Sequence, residues 1–530
     1  MAEAVAAVAV TRSAAASRGR PPIALLAASA AGPLLVALPL AFTVFQATRA
    51  TRAEVMELLF RPLVGELLIN TIGLLLATTA TAAVIGTAAA WSVERTRLPG
   101  RQIWAVLAAV PLAVPPFISS YAWVSLSPAL QDFAGAWLVV TCSYYPLVYL
   151  PVAAALRGLD PALEETARSL GHGVWRCFFR VVVPQLRPAL LGGMLLVALN
   201  VLVEFGAFAL LRFRTFTTEL YVEYRTGFNG PGASLLAVVL LLLCLVCLVA
   251  EMKVRGGARY ARLGPGTRRR ATLLELGWTK PIVLTAAAAL VATTLGVPLG
   301  MIIYWLTQHG SAAISPAEAS AARLLDAALS SLWLGLAGAA VTVTLALPLG
   351  FLASRYQGWR ITLLERAAYL AQGVPGIVVA LALISLTVHA VYPLYQTAVL
   401  LIAAYAIVFL PLALISVRAA LMQAQRGLEE AARSLGLGWA AVAWRVVLPL
   451  AGPGLGAAAA LVFVSVVTEL TATLLLAPIG TETLATQVWA DTSTLAFAAA
   501  APYAALMAVL SLLSTWLLAR RFAATRFLAV

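Results

Sequence analysis

Long apolar runs alternate with short polar segments along this chain, and the runs are of membrane-spanning length. A first set lies at about 23–45, 67–91, 103–124, 136–156, 190–211 and 233–250. A second set follows at about 281–304, 329–354, 367–390, 398–415, 455–476 and 498–518. A helix crosses the hydrocarbon core with about 20 apolar residues, so the pattern predicts an all-α polytopic protein with about 12 transmembrane helices. Ala28-Ser-Ala30 resembles a signal-peptide cleavage site, but cutting there would leave too short an apolar region, so the first run is read as a retained helix.

One polar stretch between the runs occurs twice. Leu163-Glu-Glu-Thr-Ala-Arg-Ser-Leu-Gly171 returns as Leu428-Glu-Glu-Ala-Ala-Arg-Ser-Leu-Gly436, at an offset of 265 residues. Pro184 and Pro449, Pro188 and Pro453, and Glu204 and Glu469 keep the same offset. Self-similarity at this distance predicts two repeated halves. The boundaries follow: a tail 1–22, a first half 23–250 with a polar loop 157–189, a basic linker 251–280, a second half 281–519 with a polar loop 417–454, and a tail 520–530.

Charge then sets the orientation. Only 11% of residues are charged and the mean hydropathy is +0.94, yet the net charge is +14. With the N-terminus inside, 29 of the 36 basic residues fall in the tails, the linker and the inward loops, and only Arg49, Arg52, Arg61, Arg212, Arg214, Arg225 and Arg323 lie outside. That asymmetry matches the positive-inside rule. Both termini and both polar loops are therefore expected in the cytoplasm. The basic charge reads as a topology signal facing anionic headgroups, not as nucleic-acid binding. An even number of spans per half makes the halves parallel repeats about an axis normal to the bilayer. The Cys244-Leu-Val-Cys247 spacing has no second pair, so its cysteines read as small buried apolar residues.

Each polar loop reads as a helix–turn–helix along the inner face. Asp160 suits an N-cap and Pro161 the first helical position, with Glu164 and Glu165 near the positive helix end. In the second copy Leu428, Ala431, Ala432 and Leu435 form one apolar stripe, with Glu429, Glu430 and Arg433 opposite. Gly171 and Gly436 allow the left-handed backbone that ends a helix.

Glu430-Ala-Ala, with Gly436, Val446, Leu448 and Pro449 at their spacings, resembles the EAA motif of membrane subunits of binding-protein-dependent ABC importers. The first copy has Thr166 at the first alanine and Val183 for leucine. The resemblance implies the type I ABC importer permease fold, with Glu164, Glu165, Ala167, Gly171, Pro184, Glu429, Glu430, Ala431, Ala432, Gly436 and Pro449 forming two ATPase-coupling elements. It also implies a multi-pass protein of the bacterial inner membrane and two copies of a separate ATPase that bind ATP and magnesium. An extracytoplasmic binding protein would supply the substrate. No Gly-x4-Gly-Lys-Ser/Thr loop surrounds Lys253 or Lys280, the only lysines, so this chain is not expected to hydrolyse ATP and no cofactor of its own is expected.

The cargo is read less directly. Glu204 and Glu469 are the acids inside the apolar runs, and an intramembrane carboxylate is by default a functional-site candidate. Carboxylates suit hard cations, which makes the pair candidates for the substrate pathway. Structural pairing, for Glu204 with Arg212 or Arg214, is the competing reading. Residues 204–219, 471–478, 483–487 and 499–503 resemble the ferric-iron branch of the family, although Thr468-Glu-Leu-Thr471 and Ala477 depart from its pattern. A fused permease for thiamine or another small cationic solute is the alternative. An ion-gradient transporter using the two glutamates as relays is the alternative class. Tyr144, Tyr145 and Tyr149 read as a packing face in preference to phenolate ligands. Pro115-Pro116 and Pro375 are expected to interrupt their spans.

Overall fold

The computed structural model describes residues 21–225, 230–255, 273–308, 321–424 and 426–527. Most of the expected N-terminal tail, the middle of the basic linker and the last residues of the C-terminal tail lie outside them. The first half comprises α1 (Ile23–Thr48), α2 (Arg52–Leu59), α3 (Pro62–Arg95), α4 (Arg101–Leu107), α5 (Pro116–Leu126), α6 (Phe133–Tyr144) and α7 (Pro146–Gly158). It continues with α8 (Pro161–Ser169), α9 (Val174–Cys177), α10 (Val183–Val203), α11 (Gly206–Leu210), α12 (Phe216–Arg225) and α13 (Gly230–Arg255). The second half begins with α14 (Lys280–Val291), α15 (Val297–Thr307), α16 (Ala321–Arg355), α17 (Trp359–Leu370), α18 (Gly376–Ala390) and α19 (Ala398–Gln423). The remainder is α20 (Arg426–Ser434), α21 (Trp439–Val442), α22 (Leu448–Val467), α23 (Thr471–Leu476), α24 (Leu484–Ser493) and α25 (Phe497–Phe527).

Among the described residues 10 helices are long and apolar enough to cross a membrane, or up to 12 if two bent pairs count as one span each. The bends fall at the expected prolines. Arg101–Ala113 meets Pro116–Leu126 at 92°, and Trp359–Gly373 meets Gly376–Ala390 at 105°. Proline has no N–H to continue a helix and disfavours helical backbone in the residue before it. Pro115 and Pro375 accordingly stand just before α5 and α18, in extended backbone.

Two expected spans need correction. The runs at 190–211 and 455–476 are not continuous helices. Each long helix starts earlier, at Val183 or Leu448, and stops at Val203 or Val467, one or two residues before the intramembrane glutamate. The apolar remainder of each run folds into a separate short helix, α11 or α23. Hydropathy does not register such a break, because both sides of it are apolar.

Three π-helical turns have a common sequence context. Phe178–Val182, Ala292–Gly296 and Ala443–Val447 each end two residues before a proline, at Pro184, Pro298 and Pro449. The ring clashes with the carbonyl four residues back and the donor to it is missing, and a wider turn relieves both. Helices elsewhere hold interior prolines such as Pro188 and Pro411 without a π turn, so proline permits the widening but does not by itself impose it.

In each half three helices pack pairwise: α3, α7 and α10 in the first, α16, α19 and α22 in the second. Glycines set the spacing. A Cβ on Gly86 would lie 2.9 Å from the Tyr149 nitrogen, and one on Gly193 would lie 2.8 Å from the Val148 Cα. Thus α3 and α10 grip α7 from two sides, as small residues allow helices to do in lipid. The halves also embrace each other. The first helix, α1, packs on α16, α17 and α18 of the second half, while α15 packs on α5 of the first.

Candidate functional site

The two copies of the polar stretch form α8 and α20, each a nine-residue helix with a following turn. Asp160 caps α8 as expected, its carboxylate accepting the Ala162 N–H at 3.0 Å. Gly171 and Gly436 close the two helices with φ of 82° and 85°, and the next N–H in each turns back, His172 to the Ala167 carbonyl and Leu437 to that of Ala432. That is the left-handed C-terminal closure that glycine favours.

The buried face of each helix is mixed and does not coincide with the apolar stripe. Glu164 and Ala167 are buried in α8, and Glu429 and Ala432 in α20. Leu163, Leu170, Leu428, Ala431 and Leu435 of the apolar stripe are exposed, as are Glu165 and Glu430. The cause is an arginine at the end of the preceding long helix in each half. Arg95, 3% exposed, lies 2.8 Å from Glu164. Arg355 pairs closely with Glu429 and also donates to the Leu421 carbonyl at 3.1 Å and the Ala424 carbonyl at 3.4 Å, the acceptors left over where α19 ends. A buried charge needs a counter-charge, so one acid of each helix turns inward toward the arginine and the leucines remain outside.

These anchoring arginines were not recognised from sequence. Each closes its long helix, but their separation is 260 residues, not 265, because the intervening loops differ in length. The signal was a basic residue at the last position of an equivalent helix in both halves. Apolar side chains extend the exposed surface: Trp175 and Phe179 stack at 6.4 Å beside α8, and Trp444 is exposed beside α20. On the first side only, the end of the linker attaches next to the arginine. Leu274 N–H donates to the Arg95 carbonyl at 2.8 Å, and Arg97 N–H donates to the Leu274 carbonyl at 3.0 Å.

The second constellation is the pair of helix breaks. Glu204 and Glu469 each stand just after a long helix and turn onto the backbone of the following short one. Ala207 N–H donates to Glu204 Oε1 at 2.9 Å, and Ala472 N–H donates to Glu469 Oε1 at 2.8 Å. The side-chain partner of Glu204 is the Tyr144 hydroxyl at 2.6 Å, not Arg212 or Arg214 of the competing reading. Tyr145 and Tyr149 are buried, and the Tyr149 hydroxyl donates to the Ala105 carbonyl at 3.1 Å. The breaks meet between the halves, where a Cβ on Gly206 would lie 2.8 Å from Leu470 Cδ2.

Comparison with known proteins places the chain among transport-system permeases. The family described as binding-protein-dependent transport system inner membrane component matches residues 82–252 and again 346–522. An Fe(3+)-transport system permease protein of Haemophilus influenzae is 37% identical over 486 residues, which is 92% of this chain and 96% of that protein. A sulfate transport system permease protein of Escherichia coli is 30% identical over 43% of this chain and 90% of its own length. A molybdenum transport system permease protein of the same species is 27% identical over 30% of this chain and 80% of its own length.

Proposed function

This chain belongs to the inner membrane components of binding-protein-dependent transport systems, with two family domains fused in one polypeptide, and from its similarity to a ferric-iron permease over nearly its whole length we propose that it carries ferric iron across the membrane. It is a multi-pass permease, a transport subunit whose place is the bacterial inner membrane. In our reading a soluble binding protein delivers the cargo to the outer face. Two copies of a separate ATPase, which supply ATP and its magnesium, dock on α8 and α20. Their closure draws the two helices together, and α10 and α22, joined to them through the π turns, reorient around a central pathway. Glu204 and Glu469 flank that pathway. No covalent chemistry occurs in this chain, which neither binds nor hydrolyses ATP.

The observation that carries the mechanism is the pair of arginine-anchored helices. Each presents the same exposed glutamate and leucines, one socket for each ATPase. Iron as cargo is supported by the similarity to the ferric permease over nearly the whole chain, whereas the sulfate and molybdenum permeases align with less than half of it. Uptake of labelled ferric iron into cells bearing the complete system should persist in excess sulfate, molybdate or thiamine and fall with unlabelled ferric iron. Competition by one of the other solutes, with none by iron, would reassign the cargo.

A further inference from the structure

A helix broken inside a bilayer leaves N–H groups that no water can satisfy. At both breaks the glutamate meets that need. Glu204 and Glu469 each stand two residues before the first residue of the short helix. Each reaches over the intervening residue to its second N–H, that of Ala207 or Ala472. Glu469 also takes the Thr473 N–H on Oε2 at 3.0 Å. This is the work of an N-cap, done by a longer side chain from one position further out.

The other contacts tie each cap to a neighbouring helix. Tyr144, the last residue of α6, donates its hydroxyl to Glu204 Oε2. In the second half the Thr473 hydroxyl lies 2.9 Å from Glu469 Oε2 and 2.8 Å from the Tyr405 hydroxyl on α19. Tyr144 and Tyr405 are not repeat equivalents. At the offset of 265, Tyr144 corresponds to Phe409 and Tyr405 to Val140, one helical turn apart. Different positions thus deliver a tyrosine to the same task in each half, which simple duplication would not produce. The crevice beside Glu469, lined by Ser331, Tyr405, Thr473 and Thr483, has no room for a water molecule, let alone a hydrated cation.

We propose that Glu204 and Glu469 are positioning residues that cap the short helices α11 and α23 where the halves meet, latched by Tyr144 and by Tyr405 through Thr473, and that they do not ligate the cargo. This rests on the permease reading above and assigns the two acids a part in it. A carboxylate that bound cargo would have to release backbone donors into a dry site. The helices lining the pathway move instead with their caps in place.

The test compares Glu204→Gln, Glu204→Ala, Glu469→Gln, Glu469→Ala and Tyr144→Phe in the complete complex in proteoliposomes. Iron uptake from the loaded binding protein and binding-protein-stimulated ATP hydrolysis are both measured. An amide oxygen still accepts the Ala207 N–H and an amide nitrogen can donate to Tyr144, so Glu204→Gln should keep uptake within about threefold of wild type. Glu204→Ala should lose about tenfold or more in maximal rate with little change in half-saturation. Glu469→Gln should be worse than Glu204→Gln, because its two oxygens serve two N–H groups and an amide offers one acceptor. Tyr144→Phe should lower the rate less than Glu204→Ala. If both glutamines are as defective as both alanines while the ATPase still co-purifies and responds to the binding protein, the negative charge is what matters and the capping role is overturned. A wild-type complex without ATP-dependent uptake would instead defeat the permease reading, before any variant is compared.

Discussion

Arg355→Ala will release α20 from the membrane domain and cost the complex its ATPase on that side. Arg355 and Glu429 are both nearly inaccessible, and removing one partner of a buried pair leaves an uncompensated charge, at about 3–5 kcal/mol. The same guanidinium also serves the carbonyls of Leu421 and Ala424, so the end of α19 loses its cap together with α20. Arg95→Ala should act alike on α8, with less effect on α7, because Arg95 pairs with Glu164 without a matching set of carbonyl partners. The measurement is ATPase retained on the purified permease. Arg355→Ala combined with Glu429→Ala should recover part of the loss, since no lone buried charge then remains. Full retention of ATPase by Arg355→Ala alone would show that the pair does not hold the coupling helix.

The second large effect concerns the outward face of the same helices. Leu170 and Leu435 are 74% and 83% exposed at repeat-equivalent positions, beside the glycines that end α8 and α20. Leucines this open on helices held against the membrane domain fit the apolar core of a protein interface. Leu170→Asp with Leu435→Asp should leave insertion and expression unchanged, because neither side chain supports the fold. Each aspartate should weaken ATPase binding by about 2 kcal/mol, roughly thirtyfold per site. Titration of purified ATPase against the double variant reads this directly. An unaltered affinity would move the docking face elsewhere on the loops.

The contrast between those two surfaces shows how far the sequence could be read. The repeat, most of the apolar runs, the proline interruptions and the Asp160 and Gly171 caps are legible along the chain, and the structure carries them. The inward turn of Glu164 and Glu429 does not follow from local rules. Amphipathic periodicity does not tell which acid is buried, because a distant arginine, at the end of a helix some seventy residues earlier, selects it. The breaks at Glu204 and Glu469 were obscured for a related reason. An apolar run looks the same whether one helix or two pass through it. Only the hydrogen bonds of Ala207 and Ala472 show that the acid interrupts the run. The anchoring arginines and the capping glutamates are both long-range solutions to buried polarity, which hydropathy along the chain does not record.

The central claim is that an external ATPase drives this chain through α8 and α20. The most direct test is iron uptake by proteoliposomes containing the permease, its ATPase and the loaded binding protein, with proton and sodium gradients held and ATP withdrawn. The account predicts that uptake stops when ATP is removed and continues with ATP when the gradients are collapsed by ionophores. Uptake that continued without ATP and vanished with the gradients would contradict it, and would make this chain an ion-coupled carrier.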